Sequence, residues 1–384
     1  MKRTVLFLLA LAAVALIAVA PKMLGQDDQA VLKGYFLSKP VRSIDPLTFQ
    51  AQSDAGSGLK VWTYKATSTR QGSKGQKFSG VMVGNSPYTN KATTTTTMQV
   101  VPLIITIGST VFDPTKPDNA CFAGKVPMTM YEQSPITNAA PFKMNGVNVG
   151  TTAYTDAFQR ASFWTPVNKN GGTYHNDLKL KVLKPVKVDL GTSNSTILTS
   201  TCGPLGGLNL SPFEALLENT IIPSLSKQGV NPKTFVTFLM YNVVMYEGST
   251  SNCCVLGYHF GIGNPLQTYS PFEFDTTGAF GGEIFDTYVA AHEVDEWQDD
   301  PLGNNPVPAW GHIGQVSGCQ NNLEVGDPLT GGGNPFQVKM SNGYTYHLQE
   351  LAMYSWFYGP PSIGAGKKFS DDGTFTSAQG ACTD

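Results

Sequence analysis

The sequence predicts an α+β fold. A twisted mixed sheet carries one polar helix, a C-terminal helical part lies below a cleft, and a β-rich N-terminal region packs beside it. Three observations lead there. First, only 14% of the 384 residues are charged, and the chain holds 40 glycines and 25 prolines. An average domain has about a quarter of its residues charged, so this is the composition of a turn-rich exported chain. Second, apolar runs of strand length recur between Gly- and Pro-bearing turns. Third, helical patterns appear mainly in the second half. The length suits one large domain or two smaller ones, with enough chain to bury a core. A net charge of −2 gives no basic surface for nucleic acid.

Met1-Lys2-Arg3 followed by the uncharged stretch from Val5 to Ala20 has the layout of a secretory signal and is short for a membrane span. Residues 1–25 are therefore assigned to a signal peptide. Its cleavage point is displaced by Pro21 toward Gly25–Ala30, and a retained N-terminal anchor is the alternative. Residues 26–96 form the β-rich N-terminal region. Its first part, 31–58, reads as an irregular lead-in. Leu59–Thr67 and Lys77–Gly84 read as a hairpin across the polar turn at 70–75, and Thr93–Thr97 as a linker or edge strand.

Residues 97–384 form the second, metal-binding domain. Val100–Val111 is a strong apolar strand and Tyr154–Trp164 a short helix. Leu178–Leu190 gives strands broken at Pro185. Ser211, Pro212 and Glu214 suggest a capping box opening a helix that Pro223 kinks or ends. Phe235–Met245 reads as a buried strand, Glu283–Gln298 as a helix, 300–306 as a loop, and Tyr346–Tyr358 as a second helix. The six cysteines, with no CxxC pair, favour disulfides in an exported chain. The adjacent Cys253 and Cys254 are expected to bridge to different partners. There is no GxGxxG, P-loop or GxSxG motif to support nucleotide binding or serine hydrolysis.

The chemistry concentrates in His292-Glu293-Val294-Asp295-Glu296, an HExxE motif. With five histidines in the chain, this spacing is unlikely by chance. On a helix, His292 and Glu296 share a face and can reach one metal ion. Glu293 lies about 100° round, where a general base takes a proton from metal-bound water. Glu324 is the candidate third ligand, and a three-residue set leaves a position open for water. Asp327 either binds the metal too or orients His292. His312 is a weaker candidate, either for stabilising an oxyanion or as a substitute metal ligand. His259, in Gly257-Tyr258-His259-Phe260-Gly261, is expected to be a packed β histidine, though it can line the same cleft. The contrasting reading of these carboxylates is a solvated helix face and an acidic turn.

HEVDEWQDDP, then Trp310, then LEVGDPL resembles the HExxE…DP…W…E-x-x-D pattern of EXORDIUM (phosphate-induced) secreted proteins, particularly their bacterial relatives. VVPLIITIGSTVFDP, YTDAFQRASFW, YHLQELAMYSWFYG and GTFTS add to the resemblance, which spans roughly 59–384. It implies export and a zincin-like catalytic-helix arrangement. The motif is also similar to that of gluzincin metallopeptidases, with Glu296 standing where they have a second histidine. That substitution implies a harder, more negative site that is less selective for zinc.

The sequence therefore points to an exported, zinc-dependent or other divalent-metal peptidase acting on a peptide or protein substrate. It offers no nucleic-acid partner and no membrane association beyond a retained leader. The alternatives are a noncatalytic extracellular polymer-binding protein with a structural or vestigial metal site, and a hydrolase acting on another substrate.

Overall fold

Thr94–Ile107 is the longest strand of a mixed sheet and lies second from one end of its strand order. A computed structural model describes residues 31–89, 93–331, 335–363, 368–378 and 382–383. The proposed signal peptide lies outside them. Among the described residues no helix is long and apolar enough to cross a membrane.

The sheet order is Ser195–Leu198, Leu205–Asn209, Val243–Tyr246, Cys253–Gly257, Gln267–Phe274, Phe235–Tyr241, Thr94–Ile107 and Thr110–Phe112. Thr94–Ile107 also pairs in parallel with Asn176–Val182 and Val186–Val188, which are separated at Pro185 as the sequence suggests. Phe235–Tyr241 pairs in parallel on both sides, with Phe238 opposite Val101 on one side and Pro271 on the other. Cys253–Gly257 is antiparallel to Val243–Tyr246 and to Gln267–Phe274, and antiparallel pairs also stand at both ends. Strands in such a sheet are covered on both faces and read as continuous apolar runs.

Alternate residues feed two cores. Phe235 and Leu239 join one, while Val236, Phe238 and Met240 join the other. The second core is closed by Phe213, Leu217, Ile221 and Leu225 of a helical segment. The first holds Val289, Val294 and Trp297 of the HExxE helix, together with Val61, Tyr64 and Val81 of the N-terminal hairpin. That hairpin, Val61–Thr67 with Lys77–Val83, forms as expected, and Val31–Asp384 is one compact unit. The fold is thus α+β and β-rich, with helices on a mixed sheet.

Several expected elements differ. The lead-in contains the helix Pro46–Asp54, whose Asp45 cap accepts from Leu47 N and Thr48 N at 3.0 Å each. The Thr run is the start of the long strand and no linker. The helix near Ser211 begins at Leu210 without a side-chain cap, so the capping box does not form. A π turn at Leu217–Ile221 precedes Pro223, which is how a helix absorbs a residue lacking an N–H. Phe235–Met245 is two strands because Asn242 adopts φ 51° and sends Val243–Tyr246 toward Leu205–Asn209.

The C-terminal helical part is also corrected. Phe336–Lys339 and Thr345–Leu348 form a hairpin, and only Tyr354–Tyr358 is helical. Alternation of Tyr346 and Leu348 into the core overrides the helical spacing read there. Cys253 and Cys254 bridge each other, and the other disulfides are Cys121–Cys202 and Cys319–Cys382. Such bridges fit an extracellular protein.

Candidate metal centre

The HExxE segment lies on the helix Tyr288–Asp299, every residue of which is buried. It starts five residues later than the sequence suggests. Asp286 holds φ 39° and spends its carboxylate on Thr287 and on the His347 N–H and ring, which keeps 283–287 out of the helix. A helix buried all round must find partners for its polar groups. Asp299 accepts from Gln159 Nε2 at 2.6 Å. Asp300 accepts from Asn304 N and Asn305 N and fixes the loop beyond.

His292 Nε2 lies 2.9 Å from Glu296 Oε2 and 3.6 Å from Asp327 Oδ1, without a hydrogen-bond partner. The other ring nitrogen, Nδ1, faces Gln349 Oε1 at 2.8 Å, and the Gln349 amide nitrogen donates to Gly326 O at 2.7 Å. That amide orientation makes Oε1 an acceptor, so the imidazole proton sits on Nδ1 and the Nε2 lone pair faces the carboxylates. This is how ligating histidines are oriented. Gly326 has to be glycine for space, because a Cβ there would lie 2.2 Å from His292 Nδ1.

Glu296 Oε1 accepts from Gly326 N at 2.9 Å. Asp327 Oδ1 accepts from Gln315 at 2.5 Å and Oδ2 from Gln320 at 3.2 Å. Glu324 Oε1 accepts from Ser38 Oγ and Asn322, whereas Oε2 has no partner. Both Glu293 oxygens are also unpartnered. Gly257 makes room for this side chain, since a Cβ at 257 would meet Glu293 Oε1 at 2.7 Å.

His259 joins them. Its Nε2 donates to Asp300 O at 2.9 Å, which leaves the Nδ1 lone pair 3.6 Å from Glu293 Oε2. The donor atoms of His292, Glu296 and Asp327 all lie within 4.8 Å of one another, as do those of His259, Glu296 and Glu324. His259 is thus one of the residues the spacing argument undervalued. The only local signal was its flanking glycines, and Gly257 is the one that opens space for Glu293. His312 is not brought into the group. It is exposed, at φ 53°, beside the Cys319–Cys382 disulfide.

Burial pushes the Glu293 and Glu324 carboxyls up to about 8, with Glu296 adding to the Glu324 shift. Burial and then neighbouring glutamates raise Glu296 and Asp327 well above the usual carboxylate range. Burial lowers His292 to about 4, so its ring is neutral. Carboxylates crowded in a dry pocket resist ionisation, and a bound dication reverses that preference. Imidazoles with free lone pairs and unpartnered carboxylate oxygens are the donor set that divalent transition metals take, so the residues fit such an ion.

The centre is covered. All six residues are at most 3% exposed. Tyr35–Phe36 adds a short parallel strand beside Cys253–Gly257. Phe36 stacks on the His292 ring, its N–H donates to Gln315 Oε1, and its carbonyl accepts from Gln315 Nε2. Comparison with protein-family models, with curated proteins and with solved structures finds no match.

Proposed function

We propose that the protein is an exported metal-dependent hydrolase of the peptidase type. In this reading it has a zincin-like helix and is related to the EXORDIUM-like secreted proteins that its motifs resemble. The supporting observation is the convergence of buried donor atoms lacking hydrogen-bond partners on the HExxE helix, notably His292 Nε2, His259 Nδ1 and Glu324 Oε2. Asp295 and Glu273 are also buried without hydrogen-bond partners, so it is the convergence of donor atoms, and not the lack of partners alone, that marks this group. His292, Glu296 and Asp327, with Glu324 beside them, would hold the ion. Zinc or another divalent metal there supplies Lewis acidity toward water and a substrate carbonyl. Glu293 is the general base: its free carboxylate takes a proton from the attacking water and returns it to the leaving amine. Gln349 fixes the His292 tautomer, and the surrounding core excludes bulk water.

A second reading is favoured by the burial of the site. A centre closed by protein ligands and by Phe36 suits a structural ion in a noncatalytic extracellular protein that binds polymers. Metal analysis and peptide hydrolysis by the mature protein and by Glu293→Gln separate the two. The hydrolase reading expects bound metal in both forms and a loss of roughly 10²–10⁴-fold in activity for the variant. Metal in both forms with hydrolysis in neither supports the structural reading. No metal in either form removes both.

A further inference from the structure

We infer that the buried centre holds two divalent cations bridged by the Glu296 carboxylate, one bound by His292 and Asp327 and the other by His259 and Glu324. This deepens the proposal above and rests on its claim that the centre binds metal.

The geometry is the first support. His292, Glu296 and Asp327 form one triad, and His259, Glu296 and Glu324 form another, each offering donor atoms within 4.8 Å of one another. Glu296 belongs to both. Its two oxygens allow it to serve two ions at once, as carboxylates do in paired-metal sites where the ions stand about 3.5–4 Å apart.

Valence is the second. A single ion held by His292, Glu296, Asp327 and Glu324 would still leave His259 Nδ1 buried with no hydrogen-bond partner. Leaving such an atom unsatisfied is unfavourable. A second ion bound there satisfies it. His259 is held for that role, because its Nε2 proton is committed to the Asp300 carbonyl and only the lone pair on Nδ1 faces inward. The HExxE pattern gives this histidine no task.

Charge is the third. Glu293, Glu296, Glu324 and Asp327 together carry four negative charges when ionised, and both imidazoles are neutral as ligands. Two dications balance these four carboxylates better than one does, and Asp300, buried beside Glu324 and His259, adds a fifth carboxyl to the same surroundings. An uncompensated buried charge is strongly unfavourable. A mixed imidazole and carboxylate set with this much oxygen suits zinc or manganese.

The test is metal stoichiometry of the full mature chain, equilibrated with Mn(II) or Zn(II) and freed of unbound ion. The expected content is about two ions per chain, falling to about one in His259→Ala and to about one in His292→Ala. About one ion in the wild type overturns the pair, whether or not both variants lose it, and leaves the single-ion reading standing. No retained ion in the wild type overturns both. If the variants do not fold, the unmodified Mn(II)-loaded protein decides by electron paramagnetic resonance. An exchange-coupled spectrum supports the pair, and the spectrum of an isolated ion overturns it.

Discussion

The Phe36 ring lies parallel to the His292 imidazole, with 3.5 Å between centroids and 5° between planes. A residue from the start of the described chain thus covers the histidine that opens the HExxE motif. Nearby, Ser38 donates to Glu324 Oε1, and Gln315 bonds both the Phe36 backbone and Asp327. The covering segment and the candidate ligands form one hydrogen-bonded unit.

Phe36→Ala should therefore loosen the centre. Truncating a buried Phe costs about 3–5 kcal/mol where the cavity cannot collapse. The thermal midpoint is expected to fall and the loss of metal to a competing chelator to accelerate. Chelator kinetics unchanged from wild type would show that Phe36 does not gate the ion.

Gly326→Ala places a methyl group against the His292 ring. Overpacking of this kind costs about 1–3 kcal/mol, here concentrated on one ligand. The variant should stay folded by circular dichroism and bind metal more weakly. Titration with Zn(II) measures it, and an affinity equal to wild type counts against His292 as a ligand.

Gln349→Leu keeps the volume roughly constant and removes the acceptor for His292 Nδ1–H. Loss of such an orienting partner lowers metal affinity by about 10–100-fold. Gln349→Glu, which retains the acceptor, should recover much of it. Equal losses in both variants would indicate a packing effect instead.

Asp371 gives a pH prediction away from the centre. Burial, followed by the Glu350 charge, pushes its carboxyl up to about 7 from 3.8. The native state therefore holds this proton more tightly than the unfolded chain. Stability from this group is complete below about pH 3.8 and is lost as pH rises through about 7. The span corresponds to about 4 kcal/mol as an upper figure. Tyr154 donates to Gln349 O at 2.7 Å and lies 2.6 Å from Asp371 Oδ2, so a neutral Asp371 can donate to the phenol oxygen. Asp371→Asn imitates that neutral form. Denaturant unfolding at several pH values should show a flatter profile above pH 4 and a more stable variant at pH 8. A parallel displacement of both curves would refute the assignment.

What was legible in the sequence was local. The Val61–Val83 hairpin and the strand break at Pro185 follow from short-range patterning. The helix bearing His292, Glu293 and Glu296 follows from spacing. Tertiary structure decided the rest. Asp286 is drawn to His347 and delays the helix start, and pairing with Phe336–Lys339 turns Thr345–Leu348 into a strand. His259 lies 33 positions before His292, on a different element. Its relation to Glu324, which follows a strand of a separate two-stranded sheet, depends on tertiary packing that no local pattern encodes. Cys253 and Cys254 mislead for a related reason: adjacency argues for separate partners, and the backbone there brings them to each other.

Phe36, His259, His292 and Glu324 are spread over nearly three hundred residues of chain, yet they enclose one volume. The pocket cannot exist until almost the whole polypeptide has emerged and the first strand has come back against Cys253–Gly257. Under the proposal that the chain is exported unfolded and binds a metal, the ion would be captured after transit. The metal it carries would then be chosen by the supply outside the cytoplasm as much as by the ligands. Protein secreted into media differing only in zinc and manganese should differ in bound metal accordingly, and a constant metal across such media would place loading before export.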